Sequence, residues 1–543
     1  NTTYYFASGV HTLGTSIYSQ LTPHKGDRFI GAPGAIINGQ GINQSAVVGT
    51  ATGVTIEFLT FENFASPEGQ MAVNHDGGVN WTIDHNTIED NSGAGVGLGS
   101  NDTVSGNCLW DNDEYGFSSI GGSSNVTLTD NEIADNDTRG SYDESAFVES
   151  YSVTSDVATI VTRSALRTVA GARLVVGSGG SCTSSWCNNL SDAALNGTWT
   201  IASVPNSTTI RFDVTTANVG TTADSTGTVA DANASCGCSG GGKFWNTAHA
   251  TVTGNWVHDN GFVGMWPDTD NSGFDFSHNY IAHNWAEGII YEISYNAQIT
   301  KNAFVDNAWG GGASPALAGF PDPALYLSES GSDNRVRGPY RRSFHVTDNV
   351  FTDNWSGVVV YENSNRACGI TNDDYCTLVA PRSYTLSSCA AKIPNGSPNA
   401  VPDYVENCRW RAQNVLVKDN TFNFTPRAIG SDCTSATDCG YNGLFSEFGT
   451  TPSTTHDGAW PAGAAYPYAG YMVPNDISNH QGNRFGQNLY CASGGSWSFV
   501  GFAQGNAMTQ AQWTSGEKNA GGSKDPFGPQ DVRSEFVSGG CPE

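Results

Sequence analysis

Four carboxylates recur at one spacing. Thirteen residues after a repeated Asn stand Glu144 (from Asn131), Asp268 (from Asn255), Glu292 (from Asn279) and Glu362 (from Asn349), whereas two earlier units carry Gly99 and Ile120 there. If such units stack, Asp268 and Glu292 become neighbours pointing the same way. Two carboxylates that close cannot both ionise cheaply, so one is expected to keep its proton, the split that general acid and base work requires. Retaining glycosidases hold such a pair at about 5 to 5.5 Å and inverting ones at about 6.5 to 9.5 Å, and adjacent or diagonal units could serve either. This reading makes Asp268, Asp270 and Glu292 the catalytic set. Glu292 or Asp268 is the acid, and the other, with Asp270, is the base or the holder of the attacking water.

Around them Trp266, Trp285, Tyr291, Tyr295 and Trp355 fall close in register and could stack on sugar rings, with Glu144 and Glu362 as further substrate contacts. Each has a plainer reading. The acidic stack could be a solvated face, or Asp268, Asp270 and Asn271 could gather a Ca²⁺ through hard oxygen ligands, although the hydrolytic reading requires no cofactor. The tryptophans could be packing residues. His85, His258, His278 and His283 sit beside the repeated Asn and read as turn hydrogen-bonders.

The elements that must position these groups are visible as a repeat. WTIDHNTIEDN (81–91), VTLTDNEIADN (126–136), TVTGNWVHDN (251–260), FDFSHNYIAHN (274–284) and FHVTDNVFTDN (344–354) share alternating apolar positions, an Asn, a short strand and Asp-Asn or its like. The first Asn falls at 86, 107, 131, 255, 279, 302, 349 and 420, and uninterrupted steps are 21, 24, 24 and 23 residues. A unit of that size cannot bury its apolar face alone and must stack on copies of itself. In parallel register, equivalent residues then lie about 4.8 Å apart and the Asn side chains form a ladder. The Gly nine residues on (Gly95, Gly116, Gly140, Gly264, Gly288, Gly311) is expected to permit a tight bend.

These units resemble the parallel β-helix repeats of the pectin-lyase-like superfamily, which is seen in secreted polysaccharide lyases, polysaccharide hydrolases and phage tailspikes. The resemblance spans roughly residues 25 to 430 and implies an all-β, right-handed parallel β-helix of 21 to 24 residues per coil. GDRFIGAPGAIINGQG (26–41) is similar to first coils of such proteins, where a cap closes the stack. Of the motifs of secreted polygalacturonases only Asp373-Asp374 is present. The basic residue that pectate lyases of this fold use beside Ca²⁺ has its counterpart only in the cluster Arg335, Arg337, Arg341 and Arg342. Acids one coil apart are similar in outline to β-helical dextranases and α-glucanases, which use Asp where Glu292 stands.

Two interruptions divide the chain: residues 1–151 read as a cap and first coils, 152–242 as an inserted small antiparallel β-module, 243–430 as further coils, and 431–543 as a last coil and C-terminal cap. The second interruption, 308–343, reads as a long loop. Lys plus Arg number 24 against 52 Asp plus Glu, a net charge of -28, which disfavours nucleic acid and polyuronates and suits a neutral or weakly charged polysaccharide. There is no apolar run long enough for a membrane span and no signal-peptide pattern, and the chain opens as mature protein would. Thirteen cysteines include the short-range pairs 182/187, 368/376 and 433/439 and a late 491/541, with Cys108 as the odd thiol, which suits a secreted, extracellular setting. A secreted glycoside hydrolase is the first reading, a non-catalytic glycan-binding or structural protein the second, and a lyase the third. Sugar, linkage and oligomeric state stay open.

Overall fold

In a computed structural model, residues 1–119, 121–137, 145–166, 168–178, 187–231, 239–315, 320–334, 336, 339–340, 343–363, 411–448, 476–502, 506–516 and 527–541 are described. The strands line up as three long sheets of 12, 13 and 11 strands, here A, B and C, plus a separate 7-stranded antiparallel sheet. One coil shows the order: Thr251–Thr253 in sheet A, Trp256–His258 in sheet B, Val263–Asp268 in sheet C, then Ser272–Ser277 back in sheet A. Neighbouring coils pair in parallel, as Thr251↔Asp275 and Trp256↔Tyr280. This is the right-handed parallel β-helix expected from the repeat.

Each sheet buries alternate residues inside the coil, because strand side chains alternate faces. One inward column of sheet B runs Ile88, Leu109, Ile133, Val257, Ile281, Phe304, Phe351, Phe422, Tyr490, Phe536. Its aromatic end is a continuous stack: Phe304–Phe351 4.7 Å, Phe351–Phe422 4.7 Å, Phe422–Tyr490 4.8 Å and Tyr490–Phe536 4.9 Å between ring centroids. Coil pitch and aromatic stacking distance coincide, so identical side chains in one column pack without strain.

The Asn ladder is present and double. Between sheets A and B, Nδ2 of Asn86, Asn107, Asn131, Asn255, Asn279, Asn302, Asn349 and Asn420 each donates to Oδ1 of the next ladder Asn, ending on Asn488, at 2.9 to 3.2 Å. Between sheets B and C a second ladder runs Asn91, Asn112, Asn136, Asn260, Asn284, Asn307, Asn354. The glycines nine residues on serve a different purpose from the expected bend. Gly95, Gly116, Gly264 and Gly288 have no positive φ; a Cβ on Gly264 would lie 2.4 Å from the Gly288 carbonyl oxygen, so they are small to let coils approach.

Asn131 and Asn255, 124 residues apart in sequence, are adjacent rungs (Nδ2 to Oδ1 3.0 Å). The intervening chain leaves at the B-to-C corner and forms the antiparallel sheet from Ser145–Thr154 to Thr228–Asp231 with its own core around Leu174, Ile210 and Phe212. It returns as the sheet C strand Gly240–Trp245. The expected loop 308–343 also holds a sheet C strand, Pro323–Ser328. At the N-terminal end, 28–31 and 35–38 form the second coil, and the first, Thr3–Phe6 and Gly9–Thr12, leaves Tyr5 and Val10 exposed where a cap was expected. The described disulfides are Cys433–Cys439 and Cys491–Cys541, and Cys108 is free and half-buried.

Candidate functional site

Asp268 and Glu292 close their sheet C strands and pair directly, Asp268↔Glu292, on adjacent coils. Inward residues of the same strands, Met265, Ile289 and Tyr291, belong to the core, so by strand alternation Trp266, Asp268, Ile290 and Glu292 face outward. The outward column continues from Trp245 through Asp268, Glu292 and Ser328 to Tyr361.

A third ladder holds the ends of these strands. Thr247 N–H donates to Asn271 Oδ1 (2.9 Å), Asn271 N–H to Ser294 Oγ (3.2 Å) and Ser294 N–H to Ser330 Oγ (3.1 Å). Asn271 Nδ2 also donates to the Asp268 carbonyl (2.7 Å), and Ser294 Oγ to the Glu292 carbonyl (2.7 Å). The carboxylate-bearing residues are therefore fastened through their own backbone.

Two groups bracket the pair. Lys243, one coil earlier, places Nζ 3.0 Å from Asp268 Oδ2 and 4.0 Å from the centre of the Trp266 ring. Trp266 donates Nε1–H to Glu292 Oε2 at 3.1 Å. Thr269 Oγ1 donates to Asp268 Oδ1 (2.9 Å). The cation lowers the electrostatic cost of holding two carboxylates side by side. The side chains of Lys243 and Asp268 are 12% and 14% exposed, and Glu292 is 8% exposed.

Other expected site residues lie elsewhere. Asp270 is buried in the turn, in left-handed conformation (φ 60°), with its N–H donating to the Ile293 carbonyl, while the next residue, Asn271, stands beside Ser294. Glu362 is out of the column by one residue, since Tyr361 pairs with Ser328; its Oε2 accepts from Ala412 N–H (2.8 Å) and Gln481 Nε2 inside the fold. A one-residue slip changes faces, so a buried Glu362 cannot meet substrate. Glu144 is outside the described residues, and its register position on that coil is filled by Trp245.

Tyr291 lies inside the coil against Phe344 (5.0 Å), where burial pushes its hydroxyl pKa up, and buried Tyr295 donates its hydroxyl to the Arg411 carbonyl (2.8 Å). Neither can take a sugar. Trp355 is a packing residue under Gly312, and Trp285 packs with Phe262 and Ile290 beside Trp266. Of the proposed platforms only Trp266 borders the pair with part of its surface open. Asp268, Asp270 and Asn271 do not form a calcium cradle, because the amide of Asn271 is spent on Thr247, Phe244, Asp268 and Ser294. Among the described residues no three His, Cys, Asp or Glu side chains are grouped as a metal would need. Arg335, Arg337, Arg341, Arg342 and Asp373-Asp374 are outside the described residues. His85, His278 and His283 occupy left-handed turn positions before ladder asparagines, whereas His258 is in a strand, ion-paired to Glu132 and Asp259.

Sequence reasoning missed Lys243, Trp245 and Ser328. The first two lie in GGGKFW, directly after the insertion, and counting from Asn131 enters the inserted module before reaching them. The alternation in PALYLS (323–328) was the available signal for Ser328.

The description "Right handed beta helix region" matches residues 36–159 and 151–339, over half the chain. The chain belongs to the right-handed β-helix family. A comparison with curated proteins finds no match. Among solved structures this β-helix is similar to the A-module of mannuronan C-5 epimerase AlgE4 from Azotobacter vinelandii (12% identity, 77% of this chain and 86% of that one, TM-score 0.33). It is also similar to the catalytic unit of a GH87 alpha-1,3-glucanase from Streptomyces thermodiastaticus (9%, 99% and 61%, 0.36) and to a DFA-IIIase from Arthrobacter chlorophenolicus A6 (11%, 77% and 83%, 0.30). No activity passes to this β-helix from likeness of that order. No described helix is long and apolar enough to cross a membrane.

Proposed function

We propose that this β-helix is a secreted glycoside hydrolase acting on a neutral or weakly charged polysaccharide. The observation that carries the reading is the side-by-side placement of Asp268 and Glu292 on the outer face of adjacent coils, with Lys243 on one and the Trp266 indole on the other. Glu292 is assigned as the acid that protonates the glycosidic oxygen, and Asp268 as the carboxylate that faces the anomeric carbon. Coil neighbours stand about 4.8 Å apart, which favours the closer, retaining separation. The chemistry asks for no cofactor. The net charge of -28 favours an uncharged chain, and the disulfides suit an oxidising, extracellular compartment.

The low exposure of Asp268 and Glu292 favours one second reading, in which Lys243–Asp268 is a structural clamp of a non-catalytic glycan-binding protein. Reducing-end release from a panel of neutral and acidic polysaccharides separates the two. Activity abolished by Glu292→Gln and spared by EDTA supports the hydrolase. No release from any glycan, with Lys243→Met lowering the melting temperature, supports the clamp.

A further inference from the structure

The residue before each rung of the second Asn ladder sits in left-handed conformation at the B-to-C corner: Asp135 (φ 55°), Asp259 (φ 53°), His283 (φ 56°) and Asp306 (φ 54°). Such residues turn their side chains away from the coil, one per coil. Here the inserted module and the segment 429–432 rise beside the corner. They enclose a cleft of about 580 Å³ whose walls include Arg163, Ser207 and Asp432. Its floor includes Trp285, Trp309 and Trp355.

Three properties of the cleft specify a ligand. Its carboxylates are strung along the coil axis about 4.8 Å apart and too dispersed for one cation, since no three metal-ligating side chains group among the described residues. Trp285 and Trp355, 7% and 1% exposed, close the cleft from beneath with their indole nitrogens shielded. Trp309, partly exposed, is fixed by its Nε1–H to the Asp353 carbonyl (2.7 Å). Among the described residues of the walls, the one Lys or Arg, Arg163, is engaged by the Ser225 carbonyl and lies 3.9 Å from Asp432.

We propose that this cleft is a second carbohydrate-binding site, taking an extended neutral glycan along the coil axis and distinct from the Asp268–Glu292 pair. Sugar hydroxyls donate to the ladder of carboxylates, and a C–H face lies on the partly exposed Trp309. The surplus of carboxylates repels uronates. The inference shares with the hydrolase reading only the class of ligand.

The test is calorimetric titration of the full chain with cellohexaose, xylohexaose and laminarihexaose, with hexagalacturonate as the charged control. It uses wild type, Asp306→Asn and Trp309→Ala. Asn accepts left-handed backbone as readily as Asp does, so Asp306→Asn keeps the fold even if Trp309→Ala disturbs it. At least one neutral hexasaccharide is expected to saturate, with Kd raised about tenfold by Asp306→Asn, the effect of losing one charge-assisted hydrogen bond. Saturation by none of the neutral sugars, tighter binding of hexagalacturonate, or a Kd untouched by Asp306→Asn overturns the site. Weaker binding in the cleft variants of a protein that releases no reducing ends leaves this site standing and sinks the hydrolase. Reducing-end release with Kd and KM indifferent to both cleft variants does the reverse.

Discussion

Trp266 reaches across one coil to donate its indole N–H to Glu292 at 3.1 Å, while its ring face carries the Lys243 ammonium at 4.0 Å. One side chain thus touches Glu292 and the cation paired with Asp268. Trp266→Phe keeps the face and removes the donor. In the hydrolase reading, kcat should fall by about 10- to 100-fold, the worth of a hydrogen bond to a charged group, with the fold unchanged by circular dichroism. Equal kcat in the two proteins would remove Trp266 from the mechanism.

Asp268→Asn and Glu292→Gln should each abolish release while leaving the melting temperature within a few degrees. An azide-rescued Asp268→Gly variant should yield a glycosyl azide if Asp268 is the nucleophile; an inverted first product by proton NMR would instead assign a single displacement.

Asn279 accepts at Oδ1 from the backbone N–H and Nδ2 of Asn255 and donates to Val252 and Asn302. Its replacement by Ala leaves buried partners unsatisfied and should cost about 2 to 4 kcal/mol in urea unfolding. A loss below about 0.5 kcal/mol, an ordinary surface effect, would mean the ladder is incidental.

His258 pairs with Glu132 (3.2 Å) and Asp259 (2.7 Å), joining the coils on either side of the insertion. Burial pulls the imidazole pKa down, but the two carboxylates outweigh it and raise it above 6.5. The folded state therefore holds the proton more tightly than the unfolded one. The added stability is present below about pH 6.5 and is lost as pH rises through the raised value. His258→Gln should flatten this descent in melting temperature against pH; a parallel curve would refute the assignment.

Deleting 138–238 would leave Asn136-Asp137-Ser239-Gly240, the same length as Asn260-Gly261-Phe262-Val263, and Gly240 already pairs with Val263. The shortened chain should fold cooperatively to a monodisperse β protein. Aggregation in every buffer tested would show that the module supports the coils.

The coil was legible because each repeat carries its own turn chemistry, an Asn whose amide can bond only the copy above and the copy below. The Asp268–Glu292 adjacency was legible for the same reason: 24 residues separate them and the ladder asparagines preceding them, Asn255 and Asn279. Glu362 shows where the method stops. From Asn349 to the outer column at Tyr361 is 12 residues, against 13 from Asn255 to Asp268, and that one residue exchanged the outer column for the interior. Tyr291 failed on the same parity, since alternation decides inside from outside and proximity in sequence does not, while Tyr295 is covered by a later segment, packing on Val336 and bonding the Arg411 carbonyl.

The amino-acid sequence by itself determined the stacking unit, the ladders and the neighbouring carboxylates, all of which depend on interactions between consecutive coils of nearly constant length. Only the tertiary structure decided that Lys243 and Trp245 join the pair, because their coil is split by the inserted module and spacing along the chain no longer measures position along the axis. The cleft beneath that module was equally out of reach, since it is made where two separately folded surfaces meet.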